Sequence, residues 1–265
     1  MDNLSTPCLA TRFASIVVNH HGGNFLTGAT RAALTLQKQA NLEVVWAPFD
    51  HITSGARLVI AGITPGAQQA ENALNAFKAG LGAGLGPVEA ARLGKLAGAF
   101  SGPLRANLTA MLDHIGANRV LGASSCAALF DPARELVHTT SVLRHPVFVG
   151  GTNYNGTPDM LRTPLLTSMI ETHLAAEARA LPDAIWLPLG DKPAAALRHL
   201  VCLGLLRADH VLTGLPHPSG ANAERIACFL GRKADADLSS KTRPEPIIAA
   251  REKLRAQLAN LPEAA

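Results

Sequence analysis

Four short apolar runs stand out in the pattern of hydrophobic and polar positions along the chain. Each run contains β-branched residues and is followed within three residues by glycine, proline or a helix-capping residue, as is typical of strands buried on both faces of a sheet. The runs cover residues 58–63, 136–143, 184–189 and 210–215. We therefore predict four buried strands.

Segments with helical periodicity lie between and after these runs. They cover residues 101–116, 191–204, 219–231 and, at the C-terminal end, the amphipathic stretch 245–261. Strands that alternate with helices favour parallel pairing with helices on both faces of the sheet. The predicted fold class is an α/β three-layer α/β/α sandwich with a central, mainly parallel four-stranded sheet.

In a parallel sheet of this kind, ligands bind outside the carboxyl ends of the strands. Two unusual motifs occur at these predicted ends. The first reads G-I-T-P-G over residues 62–66, where Pro65 fixes φ and Gly66 permits a close backbone approach. Taken alone, this motif is explained equally well by a tight turn from a strand into a helix.

The second motif reads P-H-P-S-G-A-N over residues 216–222 and places His217 between two prolines. The restricted backbone fixes the direction of the imidazole. A neutral imidazole can donate a hydrogen bond to an oxygen that gains negative charge. His217 is therefore the leading candidate for a catalytic residue.

The two motifs, in this order, resemble those of the uracil-DNA glycosylase superfamily, which read G-x-[D/N/A]-P-[Y/G] and H-P-S-x-x. Residues 137–144 (VHTTSVLR) resemble the strand that carries the base-reading asparagine, and residues 187–197 (LPLGDKPAAAL) resemble a strand–Gly–helix segment of that family. The resemblance spans roughly residues 58–231.

The resemblance implies an enzyme that flips a pyrimidine out of DNA and hydrolyses its N-glycosidic bond to leave an abasic site. His217 would stabilise the departing base anion, and backbone amides after Gly62, beginning with Ile63, would help to hold the base. Ser219, Gly220 and Asn222 would contact the DNA strand.

Three positions depart from the uracil-specific pattern. Thr64 replaces a water-activating carboxylate, and a hydroxyl orients water but is a weak base. Ser141 replaces the asparagine, although a shift of one residue would place Thr140 there. Gly66 replaces a bulky tyrosine. These changes predict a roomier pocket for uracil or a 5-substituted pyrimidine, in repair or in defence against modified phage DNA.

Further candidates come from loops and from the basic C-terminal region. Pro65 would line the base pocket, and Tyr154, the single tyrosine, could stack on a base. Arg144, Arg225 and Lys233 are candidate phosphate contacts, with a solvated surface as the competing interpretation.

Composition adds general limits. The 265 residues are 48% hydrophobic and 17% charged, enough for one domain over 1–265, with 1–57 an N-terminal extension and 232–265 a basic, helical C-terminal extension. The net charge of +4 suits DNA but equally suits a slightly basic protein without that partner.

The four cysteines form no C-x-x-C pair, so we expect no metal or cofactor. No signal peptide is evident, and we expect a cytoplasmic monomer.

Two alternatives remain open at this stage. One is a module of the same fold that binds DNA or a nucleotide without cleaving it, because Thr64 replaces the catalytic acid. The other is a different α/β enzyme that acts on a small nucleotide or nucleoside.

Overall fold

The computed structural model describes residues 8–131 and 136–261 and shows an α/β protein. The described strands are β1 (Thr35–Gln39), β2 (Leu42–Val45), β3 (Leu58–Gly62), β4 (Val137–Ser141), β5 (Val147–Val149), β6 (Thr152–Asn153) and β7 (Ile185–Pro188). The described α-helices are α1 (Leu9–Val18), α2 (Gly28–Leu34), α3 (Ala67–Gly82), α4 (Pro87–Gly98), α5 (Pro103–His114), α6 (Ala117–Val120), α7 (Pro164–Met169), α8 (Ala175–Ala180), α9 (Asp191–Cys202), α10 (Ala223–Phe229) and α11 (Pro244–Ala259).

The chain folds into two compact units, each with its own sheet. The antiparallel unit comprises the described residues up to Ile52 together with Thr64–Ala99 and Leu143–Asp159. The parallel unit comprises Thr53–Ile63 and the described residues of 100–142 and 160–261. The predicted single domain with terminal extensions is not tested by this division and stays a prediction.

The parallel unit is built on three strands in the order β4-β3-β7. All five residues of the central strand β3 are buried, and β3 pairs with a parallel neighbour on each side. Three of the four predicted apolar runs are therefore confirmed as parallel strands. Their register places Gly62 opposite Ser141 at the carboxyl ends of β3 and β4.

The fourth predicted run, residues 210–215, lies parallel to β7 but forms only two isolated bridges, from Val211 to Trp186 and from Leu215 to Leu189. Pro188, the last residue of β7, lies between the bridged residues Trp186 and Leu189 and has no N–H to donate to a ladder. A continuous four-stranded parallel sheet is thus not present among the described residues, although the chain follows its expected course.

The antiparallel unit contains a sheet in the order β1-β2-β5-β6, which the hydrophobic pattern did not predict. Its core includes the buried rings of Phe13, Trp46 and Phe77. Helices α3 and α4 pack closely against each other, and a Cβ added to Gly98 would lie only 2.6 Å from the carbonyl oxygen of Gln69. Glycine at this position lets the two helix backbones approach.

The predicted helices are found with shifted ends. Residues 101–116 and 245–261 correspond to α5 and α11. The helix predicted over 219–231 begins as a 3-10 turn, Gly220–Asn222, before α10, and Asp191 is the first residue of α9, whose N-cap is Gly190. Among the helices of the described residues, none is long and apolar enough to cross a membrane.

Candidate functional site

The carboxyl edge of the parallel sheet brings three of the predicted site segments together within one unit. Gly62 and Ser141 end β3 and β4, and Gly190 follows β7. A Cβ added to Gly190 would lie 3.8 Å from Cβ of His217. The edge where ligands bind in parallel sheets therefore carries the leading candidate, His217.

A small surface beside Gly62 is formed by two neighbouring side chains. A Cβ added to Gly62 would lie 3.5 Å from both the Oγ of Ser141 and the ring of Phe100. Because successive strand residues face opposite sides of a sheet, Ser141 rather than Thr140 points to this surface. The assignment of Ser141 to base reading stays a prediction.

Phe100 is a feature that the sequence analysis missed. It is buried, and its backbone has a φ of 49°, in the left-handed region that a bulky residue rarely adopts. Such strain is maintained only where the surrounding structure requires it, and it clusters at binding sites. The residues Ser101 and Gly102 that follow Phe100 mark a turn before α5, but they gave no sign of the ring's position.

The imidazole of His217 is half-buried and has a defined hydrogen-bond partner. The backbone N–H of Ser219 donates to its Nδ1, with 3.3 Å between the two nitrogens. Burial also lowers the pKa of His217 below its usual value of 6.5. Both observations favour a neutral ring that carries its proton on Nε2, and this tautomer can donate a hydrogen bond from Nε2.

Two asparagine side chains hold the backbone of the His217 loop. Asn107 on α5 donates from Nδ2 to the carbonyl oxygen of Pro218 at 2.9 Å. Asn222 donates to the carbonyl oxygen of His217 at 3.2 Å. Asn222, which we predicted to contact DNA, thus has a structural role inside the loop, whereas Gly220 is exposed. DNA contacts by Ser219 and Gly220 stay predictions.

Thr64 belongs to the antiparallel unit and bridges two backbone groups there. Its hydroxyl donates to the carbonyl oxygen of His145 at 3.0 Å and accepts from the N–H of Val147 at 3.1 Å. The single hydroxyl proton is therefore engaged, and one lone pair remains for a water molecule. This geometry is that of a structural bridge, and it weakens the prediction that Thr64 activates water.

The residues after Thr64 form the start of α3. Pro65 is buried, and the N–H of Gly66 donates to Oε1 of Gln69 at 3.0 Å. Asn153 from β6 accepts from the N–H of Ala67 at 3.0 Å. A Cβ on Gly66 would lie 3.5 Å from Nδ2 of Asn153, which is an ordinary contact. The glycine therefore leaves room for at least one additional methyl group.

Three further polar side chains lie near this turn and could contact a water molecule: Gln68, Gln69 and Glu71. Gln69 accepts from Gly66, and Gln68 donates to Asn72 at 3.0 Å. Glu71 accepts from the N–H of Phe25 at 3.1 Å. All three therefore already stabilise local structure.

Tyr154 requires a correction. Its ring is only 4% exposed, and its hydroxyl donates to the carbonyl oxygen of Pro158 at 2.5 Å. Burial, followed by the nearby charge of Asp159, raises the pKa of Tyr154 to about 12. The ring packs inside the antiparallel unit, so the structure does not support stacking of Tyr154 on a base.

The predicted phosphate contacts differ in accessibility. Arg225 is exposed, whereas Arg144 is buried, with 9% of its surface accessible. Lys233 forms an ion pair with Glu224 at 2.7 Å. The exposure of Arg225 therefore favours it over Arg144 and Lys233 as a phosphate contact.

Glu224 was not singled out in the sequence analysis, and it organises the region after α10. Besides the ion pair with Lys233, its carboxylate accepts hydrogen bonds from Ser239 and Thr242. These partners hold the pKa of Glu224 well below its usual range. Part of the basic C-terminal region is thus held in place by internal contacts.

Within residues 8–131 and 136–261, no three His, Cys, Asp or Glu side chains are grouped so that they could hold a metal ion.

Comparison with curated proteins identifies a relative in Bacillus subtilis (strain 168), named "Uncharacterized protein YoxB". It is 36% identical over 201 residues, which are 75% of this chain and 78% of the relative. No protein-family profile matches the sequence. No solved structure matches it either.

Proposed function

The chain belongs to the same family as YoxB of Bacillus subtilis, and we propose that it is a DNA glycosylase. In this proposal it flips a pyrimidine out of DNA and hydrolyses the N-glycosidic bond, which leaves a free base and an abasic site. The enzyme needs no metal or cofactor for this reaction. Its partner is DNA, and it acts as a monomer in the cytoplasm.

The observation that carries the proposal is the state of His217. The Ser219 N–H and burial both favour a neutral ring with its proton on Nε2. A neutral imidazole held in advance can stabilise an oxygen that becomes negative in the transition state, without the cost of reorganisation. Asn107 and Asn222 fix the loop in which this donor lies.

The chemistry assigned to the site is cleavage of the bond between C1′ of the deoxyribose and the base nitrogen. The bonding electrons leave with the base, and the sugar becomes oxocarbenium-like. The Nε2–H of His217 hydrogen-bonds to the base oxygen on which negative charge accumulates. Water then adds to C1′, loses a proton and completes the abasic sugar.

The course of the chain supports a glycosylase-like sheet. Residues 211–215 run parallel beside β7 and end two residues before His217. In the proposed fold they are the fourth strand of a central parallel sheet in a three-layer α/β/α sandwich. The bridges at Trp186 and Leu189 support this arrangement, and Pro188 explains why the ladder between them is incomplete.

The side chains at the edge of the sheet suggest the class of base. Ser141 offers one hydroxyl to the edge of the base, where the carboxamide of an asparagine would make two hydrogen bonds. At the position of Gly66, the uracil-specific members that the sequence resembles carry a bulky tyrosine, and this chain has no ring there. We therefore propose uracil or a pyrimidine substituted at C5 as the substrate, with repair and defence against modified phage DNA as possible roles.

The alternative function is a DNA- or nucleotide-binding module that does not cleave. It is favoured by the hydroxyl of Thr64, which is engaged with His145 and Val147. The deciding experiment is release of free base from duplexes that contain uracil, a thymine mismatch or a 5-substituted cytosine. Base release supports the glycosylase, whereas tight DNA binding without release supports the module.

A further inference from the structure

A cavity of about 960 Å³ opens at the surface of the parallel unit. It is bordered by α5, by the 3-10 helix Cys126–Phe130 and by the residues that follow α10. Sites for small molecules usually have volumes of about 300–1,000 Å³. The cavity is therefore large enough for a small ligand, and the chemistry of its lining indicates the class of that ligand.

Two guanidinium groups line the cavity from different elements. Arg105 belongs to α5, and its Cζ lies 4.5 Å from the centre of the Phe130 ring. Arg232 follows α10 and is exposed, and no carboxylate of the described residues lies within ion-pair distance of it. A guanidinium presents a planar fork of N–H donors that matches the oxygens of a phosphate. The pair therefore favours an anionic ligand.

The guanidinium of Arg105 is partly removed from water. Burial lowers the pKa of Arg105, and the ring of Phe130 covers one side of the group. The attraction between opposite charges increases as the local dielectric constant falls. An anion in the cavity is thus attracted more strongly by Arg105 than by an arginine in bulk solvent.

Of the described residues that line the cavity, Asp113 is the one that carries a carboxylate. Its Oδ2 accepts a hydrogen bond from the hydroxyl of Ser125 at 2.7 Å, and its Oδ1 accepts from the N–H of Cys126 at 2.6 Å. Both oxygens are engaged in fastening the 3-10 helix to α5. Two guanidinium groups against one carboxylate leave the lining with an excess of positive charge.

His114, the last residue of α5, lines the same cavity and responds to this charge. Burial, followed by the charges of Arg255 and Arg251, lowers the pKa of His114, and the charge of Arg232 acts in the same direction. Arg255 also lines the neighbouring depression, which it shares with His114. Positive charge is therefore concentrated around this end of α5.

The lining between the charged groups is apolar. It includes the side chains of Ala106, Ala110 and Leu230. Such a wall offers few partners for the hydroxyl groups of a free sugar, whereas the flat face of a nucleobase packs well on apolar groups. The lining thus selects a phosphate that is attached to a planar, largely apolar body.

We propose that this cavity binds a nucleoside monophosphate, with its phosphate at Arg105 and Arg232 and its base against the apolar wall. Arg105 and Asp113 lie on one stripe of α5, whereas Asn107, which holds the His217 loop, lies on the opposite side of the helix. Binding here requires neither His217 nor base release, so the site is independent of the proposed function.

The test is isothermal titration calorimetry with three probes: thymidine 5′-monophosphate, thymidine and ribose 5-phosphate. The proteins are the wild type, Arg232→Gln, Ala106→Trp and His217→Ala. Ala106 is exposed, so an indole there fills the cavity without entering the core. The matched controls, Arg198→Gln on α9 and Ala176→Trp on α8, change exposed residues outside the cavity. Thermal unfolding is measured for each protein.

We expect the wild type to bind thymidine 5′-monophosphate with a Kd below about 100 μM, and thymidine and ribose 5-phosphate at least about 10-fold more weakly. Arg232→Gln should weaken binding of the nucleotide by about 10–100-fold, because a charge-assisted contact with the phosphate is lost. Ala106→Trp should abolish binding. His217→Ala and the two controls should bind the nucleotide as the wild type does.

Binding that is unchanged in Arg232→Gln and in Ala106→Trp would overturn the inference. Binding that is lost in His217→Ala but kept in Arg232→Gln would place the nucleotide at the candidate site instead. Equal affinity for thymidine 5′-monophosphate and ribose 5-phosphate would show that the base makes no contact and would overturn the assignment of a nucleotide. If Ala106→Trp loses its fold, Arg232→Gln decides. No detectable binding by the wild type would contradict this site and leave the proposed function intact.

Discussion

The backbone N–H of Ser219 donates a hydrogen bond to Nδ1 of His217, across 3.3 Å. This contact determines what the imidazole can do, because a nitrogen that accepts a hydrogen bond carries no proton. The remaining nitrogen, Nε2, is then the donor. Protonation of Nδ1 would set two N–H groups against each other and disrupt the loop.

The pH dependence of base release follows from this arrangement. Because burial lowers the pKa of His217, the neutral ring persists below pH 6.5, where a histidine of the unfolded chain is already partly charged. We predict that the acid limb of kcat/KM that reports His217 lies below pH 6.5. The measurement is a pH profile between about pH 4.5 and 8. A limb attributable to His217 above pH 6.5 would contradict the assigned protonation state.

The protonation of His217 also affects the stability of the fold. Its folded pKa lies below the unfolded value, so protonation favours the unfolded chain. The stability that the neutral ring contributes is fully present above pH 6.5 and is lost as the pH falls toward the lowered pKa of His217. His217→Gln should therefore have a shallower decrease of the unfolding free energy on acidification than the wild type.

Substrate range should depend on Gly66. A tyrosine there would place a ring where the glycine leaves space, and it would press on a substituent at C5 of a flipped base. We predict that Gly66→Tyr lowers kcat/KM for a 5-substituted pyrimidine relative to uracil by about 10–200-fold. Gly66→Ala, whose Cβ fits at 3.5 Å from Asn153, is the control for the loss of glycine itself. If Gly66→Tyr leaves the ratio of the two kcat/KM values unchanged, Gly66 does not line the base pocket.

The packing of α3 against α4 gives a stability prediction. A Cβ at Gly98 would lie 2.6 Å from the carbonyl oxygen of Gln69 and 2.8 Å from Cβ of Ala73. Gly98→Ala should therefore lower the unfolding free energy by about 1–3 kcal/mol, because the helices must separate. At Gly82 a Cβ meets nothing within 4 Å, and Gly82→Ala should raise stability by about 0.4–1 kcal/mol. Urea unfolding measures the free energy of unfolding of both variants. Equal changes in the two variants would contradict the close packing of α3 against α4.

The parallel strands could be predicted from sequence because burial on both faces leaves a clear signal. The strand β3 is apolar throughout, and all its residues are buried. The strand β1, in contrast, reads T-L-Q-K-Q and is mostly exposed, so its pairing with β2 depends on tertiary contacts that local pattern does not encode. The antiparallel sheet was missed for this reason.

The candidate site was predictable only in part. The position of His217 followed from its flanking prolines and from the end of the last apolar run. Asn107, which holds the loop from α5, lies 111 residues before its partner Pro218, so its role depends on packing.

The measurement that tests the central claim most directly is release of free base from a duplex panel, followed by alkaline cleavage of the abasic strand. The panel contains uracil, a thymine mismatch and several 5-substituted cytosines, and His217→Ala is assayed beside the wild type. The account predicts cleavage of at least one duplex by the wild type, with a rate that falls by about 10²-fold or more in His217→Ala. DNA binding without base release from any duplex, or equal release by the two proteins, would contradict it.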